Sequence, residues 1–153
     1  MSGTSTSDVS AICTEAGLRV LVQAFEAGAL PKPEWTHAAH VAMGAHYVFL
    51  LGEADALSTM RLRVRAYNEA VGTINSTSSG YHETLTRFWI AVLARLYEVH
   101  PTERELECVQ RAVALYGGRR DLHGAYYNFD VVKSVEARRD WVAPDHWPSH
   151  GIL

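Results

Sequence analysis

The chain has 153 residues, an apolar fraction of 48% and a formal net charge of -3, enough for one domain with a real core. Its charge is balanced, with no basic run and no basic stripe interleaved with aromatics, which argues against nucleic acid as a partner. The two cysteines, Cys13 and Cys108, form neither a CxxC metal pair nor a disulfide framework and suit a reducing cytoplasm.

Residues 1–9 are mostly small and polar and read as a disordered tail, without the basic-then-apolar order of a secretory signal. Ile12, Leu18, Leu21, Val22 and Phe25 recur at helical spacing, and Gly28 with Pro31 and Pro33 stops the run. This predicts a first helix from about Ser10 to Ala27. Trp35 to Gly52 contains no Asp, Glu, Lys or Arg, and Thr36 can cap a helix there. At about 16 residues that helix falls short of the roughly 18 of a membrane span, so it is expected to be enclosed by its neighbours. His37, His40, Gly44, Val48 and Leu51 share one of its faces and His46 falls opposite.

A third helix is predicted over about Glu53 to Val71, with Leu57, Met60, Val64, Tyr67 and Val71 facing inward. From Gly72 to Gly80 the small polar run has no periodicity and reads as a loop between firm helices. The fourth helix spans about Tyr81 to Val99, presents Leu85, Trp89, Val92, Leu93 and Leu96 to the core, and stops at His100-Pro101. Thr102 is the expected cap of a fifth helix through about Tyr116, and a short helix is expected around Ser134 to Val142. The fold class that follows is all-α: a single-domain bundle of about five main helices over residues 10–145, a short C-terminal helix, and an irregular tail over 146–153.

Chemistry concentrates on two helix starts. His37 and His40 stand at i and i+3, about 5 to 6 Å apart at Cβ, close enough to share one ion at nitrogen distances near 2.1 Å. His82 projects near the centre of the fourth helix's apolar stripe and Glu83 toward its flank. If the two N-termini meet, His37, His40 and His82 become metal ligands, with Glu83 a fourth ligand or the general base on a metal-bound water. The positive end of each helix dipole would keep the imidazoles neutral, the form a metal needs. Tyr81 is a further catalytic candidate. Tyr67, Asn68, Asn75 and Trp89 border the same region as substrate-binding candidates, with Arg87 a possible clamp for a carboxylate or the i, i+4 partner of Glu83. The same histidines also fit a metal-free polar pocket or simple hydrogen bonding to carbonyls, and Glu83 after Ser79 and Gly80 also fits a helix-start preference. His123, His146 and His150 read as surface residues. No G-x-S-x-G elbow is present, and Cys108 beside Glu105 and Glu107 is poorly placed as a nucleophile.

The blocks W-T-H-x-x-H from Trp35 to His40, R-x-Y-N from Arg65 to Asn68, G-Y-H-E-T-L-T-R-F-W from Gly80 to Trp89 and S-x-E-A-R-x-x-W-V-x-P-D from Ser134 to Asp145 resemble a family of small, uncharacterised bacterial all-helical proteins. The resemblance covers roughly Phe25 to Asp145. It implies that the histidine segments belong together and that Trp141 and Pro144 are part of the domain, and it carries no reaction. A bundle with three inward histidines is also loosely similar to metal-binding helical proteins of the DinB type.

The leading expectation is a cytoplasmic metal-dependent enzyme acting on a small organic molecule, oxidative or hydrolytic, with one divalent transition metal (iron, zinc or copper). The alternatives are a non-catalytic helical module holding an aromatic or planar ligand, and a structural protein whose Tyr126, Tyr127, Phe129 and Trp141 segment docks onto a second copy as a homodimer. Neither a membrane nor nucleic acid is expected as a partner.

Overall fold

The computed structural model describes residues 9–153. The tail expected over 1–9 therefore lies, apart from Val9, outside the described residues. The helices are α1 (Glu15–Glu26), α2 (His37–Leu51), α3 (Glu53–Ala70), α4 (Glu83–Val99), α5 (Glu105–Tyr116) and α6 (Val135–Arg139). Tight 3-10 turns over Lys32–Glu34 and Leu122–Ala125 link them, and no strand occurs among the described residues. The all-α bundle expected from periodicity is the fold observed.

The chargeless helix α2 is its axis, packed against α3, α4 and α5. Thr36 caps it, its hydroxyl accepting the Ala39 N–H at 3.2 Å. Its thin face lets α4 come close: a Cβ on Gly44 would lie 2.6 Å from Leu93 Cδ1 and push that side-chain end aside. Gly52, at φ 81, ends α2 and begins α3 without a loop between them. No helix among the described residues is long and apolar enough to cross a membrane.

Several boundaries differ from expectation for local reasons. The first helix is broken: residues 9–12 form a separate turn, and α1 restarts after Thr14, whose hydroxyl accepts the Gly17 N–H at 3.0 Å. Helix α5 starts at Glu105 because Thr102 folds into a turn instead, its hydroxyl accepting the Arg104 N–H at 3.1 Å and donating to Glu107 at 2.7 Å. Helix α4 starts at Glu83, with His82 as its cap.

The 72–80 loop is anchored by Asn75. Its carbonyl oxygen accepts from Asn68 Nδ2 at 2.9 Å and from the Tyr81 N–H at 3.0 Å, and its amide donates to the Arg65 carbonyl at 3.3 Å. Gly80 closes the loop at φ 76, where an added Cβ would sit 2.5 Å from Asn75 Oδ1 and 2.6 Å from the Ile74 carbonyl. Gly80→Ala is expected to cost about 2 kcal/mol, from left-handed strain plus that crowding, read as a lower urea midpoint. An unchanged midpoint would mean the loop has another way to close.

The C-terminal third belongs to the domain. Thr84 on α4 donates to the Asp140 carbonyl at 2.8 Å and accepts the Val142 N–H at 2.9 Å, and Arg87 lies over the Trp141 ring at 4.6 Å. The 146–153 segment is also packed down: Ile152 and Leu153 lie against the core, and their N–H groups reach the Tyr126 hydroxyl at 2.7 and 3.4 Å.

Candidate functional site: a histidine-lined cavity

A cavity of about 540 Å³ opens between α2, α3 and α4. His37 and His40 reach it from α2, Tyr67 and Asn68 from α3, and His82, Leu85 and Trp89 from the start of α4. Two more contributors come from distant segments: His123 from the second 3-10 turn and Arg138 from α6. Three of the expected metal ligands thus border one space, but His82 has both ring nitrogens engaged and His37 and His40 one each.

His82 is the most constrained. Its Nδ1 accepts the Leu85 N–H at 3.1 Å, capping α4, and its Nε2 must therefore carry the proton that it donates to the Val131 carbonyl at 2.8 Å. Both nitrogens are used, and the ring is a neutral strut rather than an open ligand. His37 Nε2 donates to the Tyr116 carbonyl at 3.0 Å and His40 Nδ1 to the Thr36 carbonyl at 2.8 Å, so each keeps one bare nitrogen, Nδ1 and Nε2 respectively. The His40 ring lies against Trp35 with centroids 3.8 Å apart, and Trp35 stacks in turn on Phe25 at 4.4 Å.

Burial favours the neutral form of all these rings. It lowers His40 to about 4, with the Thr36 carbonyl opposing and the charges of His37 and Arg120 adding to the fall. Burial also lowers His37 and His82. Tyr67 is in the cavity wall but almost fully buried, packed on Phe25 and Trp35, and its hydroxyl donates to the Leu30 carbonyl at 2.8 Å. Asn68 is buried, and Asn75 stands behind it as the loop anchor without lining the cavity.

Glu83, expected as a fourth ligand or base, is held elsewhere. Arg61 on α3 clamps it, Nε to Oε1 at 2.9 Å and a terminal nitrogen to Oε2 at 2.6 Å, and the Tyr81 hydroxyl donates to Oε1 at 2.8 Å. Arg61 is the main reason its carboxyl sits below the usual range; burial opposes and the Tyr81 bond assists. A carboxylate so held is a weak base near neutrality, and Glu83 is not among the cavity's lining residues. Tyr81 does line the cavity, but its hydroxyl is turned to Glu83 and burial pushes it up to about 12. Arg87 neither pairs with Glu83 nor lines the cavity; it covers Trp141.

The proposed metal set therefore does not converge. His82 would have to give up at least the Leu85 N–H that it caps or the Val131 carbonyl, and Glu83 its guanidinium. Among the described residues, no group of three or more His, Cys, Asp or Glu side chains is arranged to hold an ion. His46, on the far face of α2, is paired with Glu105 and lies outside this cavity.

Three site residues escape sequence reasoning. His123 reads as a surface histidine, yet it is half-buried, and its Nδ1 is the one buried side-chain nitrogen or oxygen without a hydrogen-bond partner among the described residues. Burial lowers its pKa. Arg138 is drawn in by carbonyls, donating to Gly80 at 2.8 Å and Val132 at 3.3 Å. Arg120 stands at the rim, exposed. The resemblance block that joins S-x-E-A-R to the histidine segments is the only sequence signal that reaches one of them, since its arginine is Arg138. Tyr126 and Tyr127, expected to dock a second copy, are instead buried in the chain's own core against Phe88.

Against known protein families, characterised proteins and solved structures, the chain finds no match. The resemblance drawn from its motifs rests on those motifs alone.

Proposed function

We propose that the chain is a small-molecule-binding helical domain whose cavity takes a planar, largely apolar ligand without a metal. The observation that carries this reading is one 540 Å³ cavity whose lining is mostly apolar, with the rings of Trp35, Tyr67 and Trp89 in its wall beside His37 and His40, each of which keeps one nitrogen without a partner. That volume is of the size that encloses a small organic molecule, and a mostly apolar wall with few convergent polar groups is the usual composition of such a site. The rings supply apolar wall, and the bare nitrogens His37 Nδ1 and His40 Nε2 accept hydrogen bonds from the ligand's N–H or O–H groups.

The competing metal-dependent reading requires His82 to leave the α4 cap and Glu83 to leave Arg61, each with a buried polar group left unpaired. The metal-free reading requires neither.

The test uses untagged protein and N-phenyl-1-naphthylamine, a neutral planar dye that brightens when shielded from water. Saturable brightening at one site is expected, and Leu85→Trp, which fills the cavity from α4, should weaken it at least about tenfold while the helical circular dichroism persists. Equal binding to Leu85→Trp, or none to the parent, would overturn the reading. So would one tightly held metal per chain that His37→Ala removes from a still-folded protein.

A further inference from the structure

The cavity's charge is one-sided. Lys32, Arg120 and Arg138 are among its lining residues, whereas no Asp or Glu is. The one carboxylate at the start of α4, Glu83, is already neutralised by Arg61. None of the three cavity cations is in an ion pair with a carboxylate among the described residues. Arg138 is held in place by carbonyl oxygens alone, which orient a guanidinium without cancelling its charge.

Both arginines act on the cavity's histidines, Arg120 on His37, His40 and His123 and Arg138 on His82, while Asp121 and Asp130, outside the lining, act on His123. His123 borders the same cavity, with its Nδ1 enclosed and unpartnered. An anionic group in the cavity would take charge-assisted hydrogen bonds from guanidinium.

We infer that the ligand is an aromatic anion: a planar ring body lying among Trp35, Tyr67 and Trp89, with a carboxylate or chemically similar acid group held by Arg120 and Arg138. The inference rests on the small-molecule reading above and adds the charge of the ligand to it. The neutral imidazoles fit this division of labour. Protonated, they would make the whole cavity a diffuse cationic trap; neutral, they leave the positive charge at the arginines, where it orients the ligand.

A matched pair of dyes tests it: 8-anilino-1-naphthalenesulfonate and N-phenyl-1-naphthylamine share one ring system and differ by the sulfonate. The anion is expected to bind the native protein at least about tenfold more tightly at low salt, with the advantage shrinking as salt is raised. Arg120→Gln and Arg138→Gln should each cut that advantage several-fold while leaving the neutral dye's affinity unchanged. Arg120 is exposed and makes no hydrogen bond that the fold needs, so this variant remains informative even where Arg138→Gln weakens the loop. Leu85→Trp should exclude both dyes. Equal affinity for the two dyes, or an anion preference that survives both arginine changes, overturns the charge assignment and leaves the pocket reading standing. Failure of the neutral dye overturns the pocket reading, and this inference with it.

Discussion

Acidification from about pH 8 to about pH 5 is expected to destabilise the fold by about 2 kcal/mol through His40 alone, rising to about 3 kcal/mol below its folded pKa. The sign follows from the direction of the shift. The folded value is about 4, below the ordinary 6.5, so the unfolded chain binds the proton first. The stabilisation is therefore complete above about 6.5 and is lost as pH falls toward 4. His37, His82 and His123 are shifted the same way and steepen the loss. Urea midpoints across this range measure it, and His40→Gln should flatten the slope. A midpoint constant between pH 8 and 5 would show that these rings are not held neutral. Bound aromatic anion would oppose the trend, because a negative charge in the cavity favours the protonated form of the histidines that line it.

Removing the guanidinium from Glu83 is the second large effect. Arg61→Met is expected to cost about 3 kcal/mol, the lower end for breaking a mostly buried pair, because the Glu83 side chain is only 10% exposed while that of Arg61 is 36% exposed and partly screened. The damage comes from the carboxylate left behind. Arg61→Met combined with Glu83→Gln should therefore be more stable than Arg61→Met alone, by at least about 1 kcal/mol in chemical denaturation. The carboxyl pKa, read by carbon NMR of labelled glutamate, should rise in the single variant. Additive losses from the two changes would show that the pair contributes no coupling. Since its folded pKa is lowered, Glu83 stabilises the fold above the usual carboxylate range, and that contribution disappears as pH falls through the folded value, below the histidine window.

The helices were legible because each is announced locally. A chargeless stretch between Thr36 and Gly52 has one economical reading, and the apolar rows of α3 and α4 recur at helical spacing. The site was legible only in part. Projection brings His37, His40 and His82 to one region, and they do border one cavity. It cannot reveal that a carbonyl 49 residues away takes the His82 Nε2 proton, or that Arg61, 22 residues before Glu83, occupies the carboxylate. Both are long-range polar contacts without periodicity. His82 misleads for a further reason: histidine is not among the usual capping residues, so a ring in that position reads as an inward side chain of the first turn. His123 sits in a segment without a repeat, and only the packed tertiary structure turns it inward.

The reciprocal ties between the start of α4 and the 131–138 segment, His82 to Val131 in one direction and Arg138 to Gly80 in the other, bear on when the cavity comes into being. During synthesis the chain emerges from its N-terminus, and α1 to α4 can associate before residue 138 has left the ribosome. Until then the cap imidazole lacks its acceptor, and one wall of the cavity lacks its guanidinium. On the proposed function, ligand capture would follow the docking of this segment, and a ligand added to refolding protein should slow unfolding far more than it speeds folding.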